Sequence, residues 1–187
     1  MMAMQEPDVP EVLVSVDIET SGQSPSVGSM LSIGACLVDD PDVQLYLELR
    51  PLPDRPWSDD AEKIHELDRA RLEKEGLTPE SAMQRFAAWL ADACGADSRP
   101  IFVGFNAPFD WMFVADYFWR YLGRNPFGVS ALDLKSYYMG REGITSWSET
   151  RRVFIDRQLQ MEPDHSHHAL DDARGQAAIA RALLGRR

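Results

Sequence analysis

Residues 12–19 read Val-Leu-Val-Ser-Val-Asp-Ile-Glu, with a branched aliphatic side chain at every second position. A period of two predicts a β-strand, and it sends Asp17 and Glu19 together to the opposite face. Two neighbouring carboxylates repel each other and both ionise readily only when a cation lies between them. Alternatively, they simply enter water at the end of the strand, where acids are common. The segment therefore predicts a strand, and divalent metal binding is one of two explanations for its acids.

The chain has 187 residues, of which 44% are hydrophobic, and this suffices for one domain with one core. We expect a flexible N-terminus over residues 1–10 and a single domain over residues 11–187. Cys36 and Cys94 are far apart and form no CxxC pair, which argues against a disulfide framework or a zinc knuckle. With no long apolar stretch, the sequence is typical of a cytoplasmic protein without a membrane segment.

The net charge of −11 argues against broad electrostatic attraction to long nucleic acid, so a polyanionic substrate would be met locally. The charge is uneven, because residues 120–157 hold seven basic and four acidic side chains. This stretch is either a rim that contacts phosphates or an ordinary solvated face.

Strand patterns come first in the chain and then alternate with helical ones. Two more strands, joined by an Asp-Asp-Pro-Asp turn, follow the first one, and the three predict an antiparallel meander. The predicted strands are residues 12–19, 30–38, 43–50, 101–105 and 129–132. The predicted helices are residues 79–94, 108–122 and 168–184, with a broken helical region over residues 59–75. A further helix is predicted from about residue 146, where Ser146 and Glu149 have the spacing of a capping box. The second long helix is apolar nearly all round and is expected to run through the interior. This order predicts an α/β fold with a mixed five-stranded sheet and helices on both faces.

A second acid follows the fourth predicted strand. Residues 104–110 read Gly-Phe-Asn-Ala-Pro-Phe-Asp, which places Asp110 in the first turn of a helix. The helix macrodipole favours negative charge there, so that Asp110 alone has a sufficient structural explanation.

A third group of polar residues starts the last helix. Residues 164–172 read Asp-His-Ser-His-His-Ala-Leu-Asp-Asp and contain three of the four histidines. Imidazole transfers protons near neutral pH, and it lies here beside acids. Zinc is one candidate for the bound ion, but the surplus of hard carboxylates across the three segments suits Mg²⁺ or Mn²⁺ better. A histidine cluster that caps the helix is the other explanation.

Taken together, Asp17-x-Glu19, Asp110 and His167-x4-Asp172 resemble the DEDDh group of 3′-to-5′ exonucleases, which have the ribonuclease H-like fold. The similarity extends over residues 12–184. It implies that Asp17, Glu19, Asp110 and Asp172 are catalytic acids that hold two divalent ions, Mg²⁺ or Mn²⁺. It also implies that His167 is the general base. Helical spacing alone would pair His168 with Asp172 and His167 with Asp171, whereas the family spacing selects His167 and Asp172.

Five further residues are candidates for substrate binding, four by the same resemblance and Phe109 because it lies beside Asp110 in the sequence. Thr20, Ser21 and Gly22 follow the first motif, where family members position the terminal nucleotide. His65 matches a family segment beside the scissile end, and Phe109 is the first aromatic to test for base stacking. The alternatives are a loop start for the first three, a surface histidine, and an aromatic of the core.

The resemblance implies a metal-dependent 3′-5′ exonuclease that releases nucleoside 5′-monophosphates from single-stranded RNA or DNA 3′ ends. The acidic surface and the third motif favour short RNA. The alternative is a DNA exonuclease in proofreading or repair, and a non-catalytic nucleic-acid-binding module is the competing class. No membrane partner is expected, and a homodimer is left open.

Overall fold

A mixed five-stranded sheet forms the centre of the computed structural model, which describes residues 9–57, 67–161 and 167–186. The strand order is β3-β2-β1-β4-β5. The strands are β1 (Glu11–Thr20), β2 (Met30–Leu37), β3 (Gln44–Glu48), β4 (Arg99–Gly104) and β5 (Ala131–Asp133). Strands β1, β2 and β3 are antiparallel neighbours, whereas β4 is parallel to β1 and β5 is parallel to β4. The antiparallel meander and the mixed sheet are therefore confirmed, and β1 lies in the middle.

Helices cover both faces of this sheet. They are α1 (Arg69–Glu75), α2 (Pro79–Cys94), α3 (Ala107–Leu122), α4 (Leu134–Glu142), α5 (Arg152–Leu159) and α6 (Ala169–Leu184), with a 3-10 turn at Trp147–Thr150. The aliphatic face of β1, with Val14, Val16 and Ile18, packs against α2 and α3. The opposite face, with Leu13, packs in the cluster that includes α4, α5 and α6. Asp17 and Glu19 thus point to the side of α6.

The helix starts follow local capping chemistry. Thr78 accepts a hydrogen bond from the Ser81 backbone N–H at 3.3 Å, and proline occupies the first turn of α2. Asp133 accepts from the Ser136 N–H at 2.8 Å and so begins α4. None of the described helices is long and apolar enough to span a bilayer.

The helices differ from the sequence predictions at three points. Helix α4 was not predicted, and the helix predicted from about Ser146 is instead a 3-10 turn followed by α5. The Ser146 hydroxyl bonds to the Ser148 hydroxyl and caps no helix, so the capping box is absent. Helix α3 does not run through the interior as predicted, since its buried residues, such as Phe113, Tyr117 and Phe118, lie on one face and Trp119 in its last turn is 56% exposed. Residues 1–8 and 58–66, with most of the expected N-terminal segment and the start of the broken helical region, lie outside the described residues.

Gly34 in β2 determines how closely α6 approaches the sheet. It is paired with Asp17 of β1 on one side and with Tyr46 of β3 on the other. A Cβ atom at this position would lie 2.2 Å from the Ala169 carbonyl carbon, so that only glycine leaves room for the first turn of α6. The Ser15 hydroxyl donates to the Ala173 carbonyl at 2.8 Å and fixes the same helix one turn later. The first two turns of α6 therefore lie directly over β1 and β2.

Candidate active site

Three carboxylates from two distant parts of the chain meet at the end of β1. Asp17 and Glu19 extend from the strand, and Asp172 extends from the first turn of α6. One oxygen from each lies within 4.8 Å of the others, and all three residues are half-buried. The two-residue period of the strand places Asp17 and Glu19 on the same face. The close packing of α6 against Gly34 brings Asp172 to them.

Asp110 approaches the same place from the other face of β1. It lies in the first turn of α3, its side chain is 5% exposed, and its Oδ1 accepts a hydrogen bond from the Ile18 backbone N–H at 3.3 Å. Since Ile18 lies between Asp17 and Glu19, this hydrogen bond fixes Asp110 to the part of β1 that contains both acids. The Asp133 carboxylate accepts from the Ala107 N–H at 2.8 Å and holds the loop before α3.

These acids share an environment that opposes ionisation. Burial, followed by the nearby charges of Asp172 and Asp110, raises the pKa of Glu19 from 4.5 to about 8. Burial also raises the pKa of Asp110 to about 8, and burial with three neighbouring acids holds the pKa of Asp17 well above its ordinary value. A donor set made only of carboxylate oxygens suits a hard divalent cation, which would offset this repulsion. The residues present therefore fit a metal site.

Gln176 is a site residue that the sequence analysis missed. Its side chain is 3% exposed, and it lies one helical turn after Asp172. Its Nε2 donates to Asp17 Oδ1 at 2.5 Å, while its Oε1 accepts from the Phe105 backbone N–H at 3.0 Å. The four-residue spacing from Asp172 was the available signal, because it puts both residues on one helix face.

The two histidines before α6 have different surroundings. His167 is exposed and has a left-handed backbone with φ of 49°. His168 precedes the first helical residue, stacks on Tyr46 with 4.4 Å between ring centroids, and places its Nδ1 3.5 Å from Asp171 Oδ2. His168 and Asp171 are therefore engaged with each other and with β3, whereas Asp172 joins the acids on β1.

The substrate-binding candidates after β1 lie in a tightly closed loop. The Thr20 hydroxyl donates to the Gly22 carbonyl at 2.9 Å. The buried Ser21 hydroxyl donates to the Pro56 carbonyl at 3.2 Å and accepts from the Ser29 N–H at 2.9 Å. A Cβ at Gly22 would lie 3.1 Å from the backbone of residues 27 and 28. Both hydroxyls thus bond to backbone groups of the protein. A contribution of these residues to substrate binding would therefore come from the shape of the loop.

The two remaining candidates are aromatic. Phe109 is half-buried directly beside Asp110, and its ring centroid lies 5.6 Å from that of Phe113. His65 lies outside the described residues.

Comparisons with known proteins agree on one family. The family model RNase_T, described as an exonuclease, matches residues 14–180. The chain is 43% identical over 173 residues to the 3′-5′ DNA exonuclease Cap18 of Escherichia coli. These residues cover 92% of this chain and 91% of that protein.

Solved structures show the same fold. The nuclease domain of 3′hExo, a DEDDh family member bound to rAMP, superposes with a TM-score of 0.76 at 16% identity, covering 96% of this chain and 94% of that one. E. coli exonuclease I in complex with a dT13 oligonucleotide gives a TM-score of 0.71 at 17% identity, covering 94% of this chain but 41% of that one. The ribonuclease H-like α/β architecture expected from the sequence is therefore confirmed.

Proposed function

Because the chain belongs to the RNase_T exonuclease family and is a 3′-5′ exonuclease of the DEDDh type, we propose that it releases nucleoside 5′-monophosphates from single-stranded 3′ ends. The family depends on divalent metal, and we assign two Mg²⁺ or Mn²⁺ ions to Asp17, Glu19, Asp110 and Asp172. The observation that carries this proposal is the meeting of three carboxylates within 4.8 Å, with Asp110 bonded to the backbone between two of them.

Each residue of the site has a defined task in this proposal. When bound, the divalent ions supply positive charge to the attacking water and to the leaving 3′ oxygen. Asp17 presents one oxygen to Gln176 and so keeps a fixed orientation. His167, exposed and just outside α6, accepts the proton of the attacking water. A non-catalytic binding module would have no need for this set of one buried and three half-buried acids.

The substrate is either RNA or DNA, and one observation favours each. The net charge of −11 offers little to hold extra phosphates, and with the third motif it favours short RNA. The identity of 43% with a DNA exonuclease favours DNA as the second candidate. We propose a cytoplasmic location, which is consistent with the free thiols of Cys36 and Cys94. Light scattering on the purified chain will decide whether it forms a homodimer.

One assay tests the reaction and the sugar together. RNA and DNA oligomers of matched sequence and several lengths, labelled at the 5′ end, should shorten one nucleotide at a time with Mg²⁺ or Mn²⁺. A 3′-phosphate should block the reaction, and Asp17→Asn should abolish it while Asp171→Asn remains active. Hydrolysis in excess chelator, or cuts within a circular single strand, would contradict the proposal. Preference for short RNA supports the first candidate, and equal or higher rates on DNA support the second.

A further inference from the structure

We propose that Phe105, Lys135 and Trp147 form a binding surface for the part of the single strand that lies 5′ to the scissile bond. In this aromatic-cation surface, the Trp147 indole stacks on a base and the Lys135 ammonium contacts a phosphate. The inference rests on the proposed function and extends the substrate site beyond the acids. It concerns any single strand, since stacking does not distinguish the sugar.

A continuous series of contacts connects the catalytic acids to this surface. Asp17 accepts from Gln176, and Gln176 accepts from the Phe105 N–H. The Phe105 ring lies 6.0 Å from the Lys135 ammonium, which lies 4.4 Å from the centroid of the Trp147 ring. A strand whose 3′ end lies at the acids therefore has this surface within reach of its preceding nucleotides.

The indole is presented to solvent on a fixed piece of backbone. Trp147 begins the 3-10 turn and is 50% exposed. The hydroxyl of the buried Thr150 donates to the Trp147 carbonyl at 2.8 Å, which holds the turn in place. A half-exposed indole on a fixed turn loses little conformational freedom when it stacks on a base, which suits it to bind single strands.

Lys135 is one cation of this region that is available to a phosphate. Two nearby arginines are paired with acids, since Arg141 pairs with Glu142 and Arg152 pairs with Asp156, whereas Arg151 donates to the Ser148 carbonyl and lies over the Phe154 ring. Within the described part of the chain, no carboxylate lies within ion-pairing distance of the Lys135 ammonium, which contacts the two aromatic rings instead. Lys135 also belongs to the stretch of residues 120–157 with a surplus of basic side chains in a chain of net charge −11. The unpaired ammonium favours contact with a polyanion at this place.

The arrangement selects single strands over duplexes. Bases in a duplex are stacked on one another, so that the indole has no free base to contact. In a single strand, each base offers its face, and the phosphate beside it can meet the ammonium. The surface should therefore increase affinity for oligomers without a direct effect on bond cleavage.

The test uses Trp147→Ala and Lys135→Gln, with Trp119→Ala as the matched control. Trp119 is also an exposed tryptophan, but it lies in the last turn of α3, away from the acids. Substrates are the p-nitrophenyl ester of thymidine 5′-monophosphate, which occupies the terminal position only, and single strands of increasing length. For the longer strands, Trp147→Ala should raise KM by about 5- to 100-fold with nearly unchanged kcat. Trp147→Phe should restore most of the loss.

The nitrophenyl ester should be hydrolysed equally by the wild type, by the surface variants and by the control. An unchanged KM for long strands in Trp147→Ala would overturn the inference, as would an equal loss on the nitrophenyl ester. A second measurement separates the inference from the proposed function. Anisotropy of a labelled ten-nucleotide single strand on an Asp17→Asn background should show weaker binding for Trp147→Ala, whether or not the wild type hydrolyses the strand. If the wild type hydrolyses no strand but this difference in binding is observed, the proposed function is rejected and the binding surface is supported.

Discussion

His167 and His168 are adjacent, and we propose His167 as the general base because their surroundings differ. His168 is held by its stack on Tyr46 and by Asp171, whereas His167 is exposed on a left-handed residue before α6. His167→Ala should lower kcat by about 10²- to 10⁴-fold, because it removes the proton acceptor, and His168→Ala should lower it by less than about tenfold. Steady-state kinetics at saturating Mg²⁺ measure both. An inactive His168 variant beside an active His167 variant would reverse this assignment.

The neighbouring acids Asp171 and Asp172 differ in the same way. Asp172 lies among the acids of β1, whereas Asp171 points to His168. Asp172→Ala should therefore lose turnover as completely as Asp17→Ala, and it should lack the rise in melting temperature that we expect Mg²⁺ to give the wild type. Asp171→Ala should retain both properties. If the Asp171 variant is the inactive one, the third motif is shifted by one residue.

Gln176 orients the Asp17 carboxylate and satisfies the Phe105 N–H. Gln176→Leu leaves that N–H without its acceptor, which should lower the free energy of unfolding by about 1 to 3 kcal/mol. It should also raise the Mg²⁺ concentration needed for half-maximal activity, because Asp17 loses its fixed orientation. Gln84→Leu, at an exposed glutamine of α2, is the control and should change neither quantity. Denaturant melts and Mg²⁺ titrations measure the two effects, and an unaltered Mg²⁺ requirement would remove Gln176 from the site.

At the scale of elements, the contact between β2 and α6 depends on one missing side chain. Gly34→Ala places a methyl group 2.2 Å from the Ala169 backbone, which forces α6 away from the sheet. We expect a loss of about 1 to 3 kcal/mol in unfolding free energy, as for other overpacked cores, with a large loss of kcat because α6 carries Asp172. Gly140→Ala is the control, since nothing lies within 4 Å of a Cβ there, and helix propensity should make it neutral or stabilising. Thermal melts and kinetics of both variants test this.

Local patterns account for the elements that the sequence predicted correctly. The alternation in β1 and the Thr78-Pro79 start of α2 are decided by neighbours in the chain. Helix α4 buries only Leu134 and Tyr138, so its apolar pattern is too sparse to be recognised, although Asp133 was a capping signal. The hydrogen bonds of Gln176 join residues 71 and 159 positions apart, and no local pattern predicts them. Gly34 could have been noticed, because a glycine within a strand often marks a close backbone approach.

At the scale of the whole molecule, we expect the acid cluster to make stability depend on pH when metal is removed. The pKa values of Glu19 and Asp110 are raised to about 8 in the folded state, so the folded state binds more protons than the unfolded state between about pH 4.5 and 8. Their contribution to stability is complete below the unfolded pKa values and is lost as the pH rises through the folded ones. The melting temperature in chelator should therefore fall from pH 5 to pH 8, and Mg²⁺ should reverse the fall at pH 8.

The double variant Glu19→Gln with Asp110→Asn isolates this effect from the general charge of the protein. Its melting temperature in chelator should depend less on pH than that of the wild type. An identical slope in both proteins would show that the acids of the site do not determine the pH response.

The raised pKa values of the buried acids also make the site an exchanger of protons for metal. With pKa values raised to about 8, Glu19 and Asp110 should retain protons at neutral pH in the metal-free protein, and metal binding should release them to the solvent. Metal occupancy should therefore fall as the pH falls, so mild acidification and depletion of the divalent metal should act in the same direction on activity. Since the protonated cluster favours the folded chain, acid should turn the nuclease off well before it unfolds it, and neutralisation should restore activity without refolding.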